Sequence, residues 1–257
     1  DEEELEDSFL RYAGDVKASR KEATAYHLSG TPEPDGFKNL VTLMVPTEAL
    51  RSCAKECGVT VTELLAAAMM QAIDRLQAEK EPRRSHRKPV KVLIPVNLRN
   101  LFPTRTLRNF ASYITPEIDP RMGDFTFREI CAAVHHTMQA KFAANVASER
   151  SPVLRVMPLF VKNLAMKLVF DAVGERKSCL CLSNLGNVRL PEAMAPYVRR
   201  MDFIIGVQAA APHGCAVVSW NGTAYINCIR NIREPELELH FYQVLHELGL
   251  PVKAESN

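Results

Sequence analysis

Apolar and polar positions alternate with recognisable periods along most of the chain. From Asn39 to Val45 the sequence NLVTLMV is apolar and rich in β-formers, which predicts a buried strand. Thr47 then predicts the cap of a helix running to Cys57, and Gly58 stops it in the left-handed position. Cys53 and Cys57, four apart on that helix, read as small core hydrophobes and not as a metal pair. Thr60-Val-Thr-Glu63 is a capping box, with Val59 and Leu64 spaced as its hydrophobic staple. Leu64, Leu65, Ala68, Met69, Ala72, Ile73 and Leu76 follow as one apolar stripe, with small side chains that let the helix lie close to a sheet.

The polar, basic loop Lys80–Lys88 separates this helix from a second buried strand, VKVLIPV. Asp124 or Thr126 starts the next helix, with Glu129 completing another T-x-x-E box and Phe127, Ile130, Cys131, Val134, Met138 and Phe142 on its core face. Pro152 to Val173 reads as a core helix started or kinked at Pro158; charges break it too often for a membrane span of about 18 apolar residues. The segments SCLCLSNLG and MDFIIGVQA come next. CAVVSW-NG-TAYINCIR then predicts a hairpin on a type I′ turn at Asn221-Gly222. Its register sets Trp220 opposite Thr223, Val218 opposite Tyr225 and Cys215 opposite Cys228, the last read as a reduced pair. A helix from about Pro235 to Leu248, ended by Gly249, closes the pattern.

Strands and helices therefore intermingle, which predicts an α/β fold: a mixed β-sheet flanked by helices, an α/β sandwich. Residues 1–36, opening on the acidic run DEEELED, read as a linker and connector, and 37–257 as the folded domain. The opening reads as a processed or truncated boundary, with nothing that resembles a signal peptide. Of 257 residues 47% are hydrophobic, enough for a sizeable core, and 32 basic against 30 acidic residues leave a net charge of only +2. That balance excludes a disordered chain and a basic nucleic-acid arm. Seven dispersed cysteines, without CxxC or a Cys/His ligand spacing, read as reduced thiols of a cytoplasmic protein.

No GxGxxG turn, P-loop, GxSxG elbow or HExxH motif is present, so the chain carries no self-contained hydrolase, nucleotide or metalloprotease signature. The doublet His135-His136 sits mid-helix, where adjacent positions point about 100° apart, so one ring borders the core and the other is exposed. His213, in APHGC, reads as a turn residue that a loop can project, whereas His27, His86, His240 and His246 read as surface or helix-flank residues. In CLSNLGNV a strand is expected to end at Ser183-Asn184, with Gly186 permitting a tight turn. Such an end presents a hydroxyl and an amide to a cleft, suited to an oxyanion or an amide-bearing arm; the same residues also make a plain turn.

Taken in order, VTLMVPTEALRSCAKECGVTVTELLAAAMMQAI, VLIPVNLRNLFPTRTLRNFASYITPEI, TFREICAAV, SNLG and the closing hairpin and helix carry a resemblance. Their succession from about Asn39 to Leu250 resembles the C-terminal half of the chloramphenicol acetyltransferase-like superfamily of CoA-dependent acyltransferases. That superfamily takes in condensation domains, wax-ester synthase relatives and bacterial alcohol acetyltransferases, and the last are the most similar. The resemblance implies two similar halves meeting at a tunnel. It also implies a catalytic base, the second His of an HHxxxDG motif in the N-terminal half, which deprotonates an alcohol or amine that attacks an acyl thioester. His135-His136 is not that motif, because Ala140 and Lys141 stand where Asp and Gly are required.

The resemblance thus casts the chain as the C-terminal half of a CoA-dependent O-acyltransferase. It forms one wall of the substrate tunnel with Ser183, Asn184, Gly186, Asn109 and Phe110, and has no catalytic residue of its own. Arg108 replaces the glycine of the GNF-like position, and Arg99, matching the arginine of PVxxR, is expected to be a structural ion-pair residue. No cofactor is expected to be held tightly; acetyl-CoA or another acyl thioester is the co-substrate. On charge alone, Arg83, Arg84, Arg87 and Lys88 are the expected contacts for its phosphates. The partners implied are the N-terminal half of the same protein and a small-molecule alcohol or amine acceptor, with neither nucleic acid nor a membrane span. A homo-oligomer through the exposed half interface is a further implication. The alternative is a non-catalytic binding domain of the condensation-domain type that contacts an acyl carrier or partner protein.

Overall fold

The β-rich segments pair into one sheet. In the computed structural model, residue 4 and residues 23–100, 102–145, 177–208 and 211–257 are described. The strands are β1 (Asn39–Pro46), β2 (Val90–Asn97), β3 (Ala111–Ile114), β4 (Glu117–Ile118), β5 (Leu180–Asn187), β6 (His213–Trp220), β7 (Thr223–Arg230) and β8 (Lys253–Ser256). They form an eight-stranded mixed sheet in the order β3-β2-β5-β6-β7-β1-β8, with β4 also pairing β2. The pairs β2–β5 and β5–β6 are parallel and the others antiparallel. Four α-helices accompany it among the described residues: α1 (Thr47–Glu56), α2 (Val61–Lys80), α3 (Phe127–Asn145) and α4 (Glu236–Glu247). This is the expected mixed sheet with flanking helices.

The hairpin has the expected register, with Trp220 opposite Thr223, Val218 opposite Tyr225 and Cys215 opposite Cys228. Positive φ at Asn221 (47°) and Gly222 (79°) gives the type I′ turn that matches strand twist. The two thiols lie 4.0 Å apart, and all seven cysteines are free. Both capping boxes form. Thr60 Oγ1 accepts from the Glu63 amide while Glu63 Oε2 accepts from the Thr60 amide (2.7 Å), and Thr126 and Glu129 repeat the arrangement.

Three local expectations change. Thr47 is the first residue of α1 and not its cap: Pro46 precedes it, and the Thr47 amide is satisfied by the Gly222 carbonyl of the hairpin turn (2.8 Å). The apolar surface of α2 is no single stripe. Every residue from Glu63 to Met70 is buried, because α2 packs against α3 and α4 as well as over β2. The stretch before Gly36, read as connector, is anchored: Ala25 and Leu28 are buried, and the Tyr26 amide donates to the Pro89 carbonyl. The expected helix at Pro152–Val173, the run Asp1–Asp7 apart from Glu4, and the side chain of Phe142 fall outside the described residues.

Strand alternation divides the sheet into two faces. Val90, Val92, Ile94, Leu180, Leu182, Cys215, Val217, Ile226, Leu43 and Val45 join Leu64, Ile73, Ile130, Phe241 and Val244 in the main core under the helices. On the other face Val218, Trp220 and Tyr225 pack with Val188, Leu190, Val198, Met201 and Phe203. Residues 201–208 have no regular secondary structure but pass close to the sheet, where a Cβ on Gly214 would lie 3.2 Å from the Gly206 carbonyl oxygen. Among the described residues no single helix is long and apolar enough to cross a membrane.

Candidate functional site

The C-terminal ends of the parallel strands β2, β5 and β6 lie at one end of the sheet, and most of the expected site residues gather there. The strand does not end at Ser183-Asn184. It continues to Asn187 through a bulge: Asn184 pairs with Val217 and Asn187 with Ser219, so β5 spends one residue more than β6. Gly186, at φ 81°, supplies the left-handed residue such a bulge needs.

The bulge places Ser183 and Asn184 differently. Asn184 follows Leu180 and Leu182 on the helix-covered face, where its Nδ2 donates to Thr62 Oγ1 in the first turn of α2 (3.0 Å). Its Oδ1 accepts from the Gly186 amide (2.9 Å), so both ends of the amide are engaged in bracing the bulge. Ser183 points to the opposite face, half-buried, in a row with Ala216, Asn227 and Thr42 of the next three strands. In that row Thr42 Oγ1 donates to Asn227 Oδ1 (2.7 Å), and Asn227 Nδ2 donates to the Phe203 carbonyl (3.1 Å).

Phe110 is buried against Leu98 and Phe102, its ring edge-on to Phe102 at 6.3 Å, whereas Asn109 beside it is exposed. Arg99 is structural, but its partners are carbonyls and not a carboxylate. It donates to the oxygens of Thr106 (3.2 Å) and Arg108 (2.5 Å) and so fastens the loop between β2 and β3. The expected ion pair is thereby corrected: the loop folds its carbonyls toward the guanidinium, whose fan of donors suits them.

The basic loop lies elsewhere. Gln77, in the last turn of α2, exchanges hydrogen bonds with the amide and carbonyl of Lys88 (2.6 and 3.0 Å). At 1.5 Å per residue, this places Arg83 to Lys88 roughly 25–30 Å from the Thr62–Asn184 contact. Part of its charge is already answered: Arg84 pairs with Asp124, and Arg87 Nε donates to the Glu81 carbonyl (3.0 Å). The β5 bulge and the basic loop thus meet opposite ends of α2.

Of the histidines, His135 borders the core and His136 is exposed, as expected. His135 Nδ1 lies 3.1 Å from Oε1 of Glu63, which is 3% exposed. The capping glutamate thus ties α2 to α3 with its second oxygen. His213 is no projected loop residue. It opens β6 opposite Arg230 and is 4% exposed; burial, with Arg230 nearby, pushes its imidazole down to about 3, so the ring is neutral. Cys53 and Cys181 are pushed up to about 11 and Cys131 and Cys179 to about 12, chiefly by burial, which keeps these thiols protonated and poorly nucleophilic. Among the described residues no group of three His, Cys, Asp or Glu side chains is placed to hold a metal ion.

Sequence reasoning missed a buried pair: Arg230 Nη1 lies 3.0 Å from Oε1 of Glu238, with Oε2 of that carboxylate 3.9 Å from His213 Nε2. Only the oddity of an Arg ending the apolar strand TAYINCIR hinted at it.

No protein-family profile and no curated sequence matches the chain. Solved structures do. A condensation domain that mediates chain release from the enacyloxin polyketide synthase is similar at a TM-score of 0.52 and 16% identity, over 90% of this chain and 45% of that one. The nonribosomal peptide synthetase FmoA3 is similar at 0.57 and 16%, over 88% and 23%. The trichothecene 15-O-acetyltransferase of Fusarium sporotrichioides is similar at 0.55 and 13%, over 85% and 48%. The chain spans less than half the length of each. At these identities the likeness is one of fold: the chain shares a mixed-sheet α/β fold with this condensation domain and this acetyltransferase.

Proposed function

We propose that the chain is the C-terminal half of a CoA-dependent O-acyltransferase of the alcohol acetyltransferase type and forms one wall of its substrate tunnel. The observation that carries this reading is coverage. The fold is shared over 85–90% of this chain but over only 45–48% of the condensation domain and the acetyltransferase, and no HHxxxDG occurs in the 257 residues. In this reading an N-terminal half supplies the base. The base takes the proton of the acceptor hydroxyl, whose oxygen adds to the thioester carbonyl; the tetrahedral oxyanion then collapses and expels the thiol, which regains the proton. Ser183, half-buried at the sheet end, is the side chain suited to donate to that oxyanion, while Asn184 and Gly186 hold the bulge that carries it. Acetyl-CoA or another acyl thioester is the co-substrate, a small alcohol or amine the acceptor and the cytoplasm the compartment. On charge alone, Arg83, Arg84, Arg87 and Lys88 are the proposed contacts for the phosphates of the co-substrate, which a long pantetheine arm holds well away from the thioester.

The test is thiol release from acetyl-CoA with a panel of alcohols. The chain alone is expected to show no turnover above background. The chain joined to the polypeptide encoded immediately upstream in its frame is expected to turn over, and to lose activity when the second His of an HHxxxDG there becomes Ala. Turnover by the chain alone that disappears in His135→Ala or His136→Ala overturns the proposal.

A further inference from the structure

Strand β8 closes one side of the sheet, four strands from β5, and all of its residues are exposed. Its backbone faces two ways. The Asn257 amide donates to the Leu40 carbonyl (3.2 Å), so by the alternation of an antiparallel ladder Glu255 and Lys253 bond to Thr42 and Met44 of β1. The other flank of β1 agrees: the Thr47 amide donates to the Gly222 carbonyl, which gives the odd-numbered residues of β1 to β7 and the even-numbered ones to β8. The peptide groups of Ala254 and Ser256 therefore point away from β1, along an edge with no neighbouring strand. Such an edge is a template for a further strand.

The charges on β8 say which strand fits. Ala254 lies opposite Leu43 of the main core, so its neighbours Lys253 and Glu255 stand together on the face away from the helices. Arg200 holds Oε2 of Glu255 (2.6 Å), whereas Lys253 has no ion-pair partner among the described residues. An antiparallel copy of β8 centred on Ala254 sets Lys253 of each chain opposite Glu255 of the other, a favourable cross-strand pair. Moving the centre to Lys253 or to Glu255 keeps the backbone bonds but sets two ammonium groups or two carboxylates against each other. Charge thus singles out one register. A lysine alone on an edge guards it against pairing; with a glutamate two positions on, it admits a second copy of the same strand.

We propose that β8 pairs antiparallel with β8 of a second copy of this chain, about a two-fold axis at Ala254, so that the two sheets run on as one. The contact is isologous: each chain offers the same backbone edge and the same pair of charges. An axis perpendicular to the joined sheet keeps α4 of both copies on the same side. There Leu239, 55% exposed, and Tyr242 border Ala254 and Ser256 along one apolar groove, and the axis turns this groove toward its counterpart. The interface uses no residue of the Ser183 end of the sheet and does not rest on acyl transfer.

The experiment is sedimentation equilibrium of the whole chain over a hundredfold range of concentration. The parent is expected to pass from monomer to dimer. Ala254→Pro removes an outward amide while sparing the β1–β8 bonds, and is expected to weaken the dimer at least tenfold. Lys253→Glu sets carboxylates opposite each other and Glu255→Lys sets ammonium groups opposite each other, so each variant alone is expected to stay monomeric. An equimolar mixture of the two restores opposite charges at both positions and is expected to dimerise as the parent does. If Ala254→Pro fails to fold, the charge variants still decide. A parent that stays monomeric throughout, a dimer that survives Ala254→Pro or either charge variant, or a mixture that stays monomeric overturns the proposal. None of these outcomes bears on thiol release.

Discussion

Two polar centres sit on this sheet, and they are satisfied in opposite ways. At the β5 bulge both ends of the Asn184 amide are taken up by Thr62 and the Gly186 amide. Beneath α4, the Arg230–Glu238–His213 cluster leaves several atoms without partners. The bulge lies at a strand end, where a flexible turn can move to meet a side chain. The cluster lies between strands and helix, where the backbone is committed to ladder and helix bonds. Polar groups are therefore cheap to satisfy at the sheet end and expensive beneath the helix.

That contrast sharpens most under removal of one buried charge. Glu238→Ala strands the Arg230 guanidinium and is expected to destabilise the fold by about 3–5 kcal/mol in urea unfolding. A loss below about 1 kcal/mol would show that the cluster is hydrated much as the bulge is. Next comes pH. His213 is held near 3 in the fold, below its ordinary 6.5, so the unfolded chain gains a proton that the native chain refuses. Its contribution is intact above pH 6.5 and is lost as pH falls toward 3, with a slope of up to about 1.4 kcal/mol per pH unit. His213→Asn is expected to remove that slope from the difference between variant and parent, measured by unfolding at several pH values.

At the bulge the effects are smaller. Asn184→Ala forfeits two hydrogen bonds and is expected to cost about 1–2 kcal/mol, with faster hydrogen exchange at the Gly186 amide. Gly186→Ala, forced to keep a left-handed φ, is expected to cost about 1 kcal/mol. Should Gly186→Ala exceed Glu238→Ala, the ranking of the two centres is reversed.

What could be read in the chain beforehand was what short-range chemistry determines. Thr60–Glu63, Thr126–Glu129 and Asn221-Gly222 each settle a terminus or turn through bonds spanning a few residues, and all three formed. The second oxygen of Glu63 was beyond reach, because its partner His135 arrives from 72 residues away. His213 misled for the same reason: flanked by Pro212 and Gly214 it looks like a turn, and only pairing with Arg230 draws it into a strand. Ser183 and Gly186 were legible as an unusual strand end, but whether the chain stops or bulges there depends on β6, whose Ser219 goes on to pair Asn187. Arg99 was recognisable as structural, whereas its acceptors depend on how the loop at 102–110 folds back.

Helix α2 is pinned at both extremities, by Thr62 to the β5 bulge and Glu63 to α3 at its start, and by Gln77 to the entrance of β2 at its finish. A rod fixed in this way cannot slip by a turn or rotate about its axis without breaking side-chain bonds at one extremity. The rod therefore keeps the span between the β5 bulge and the entrance of β2 constant.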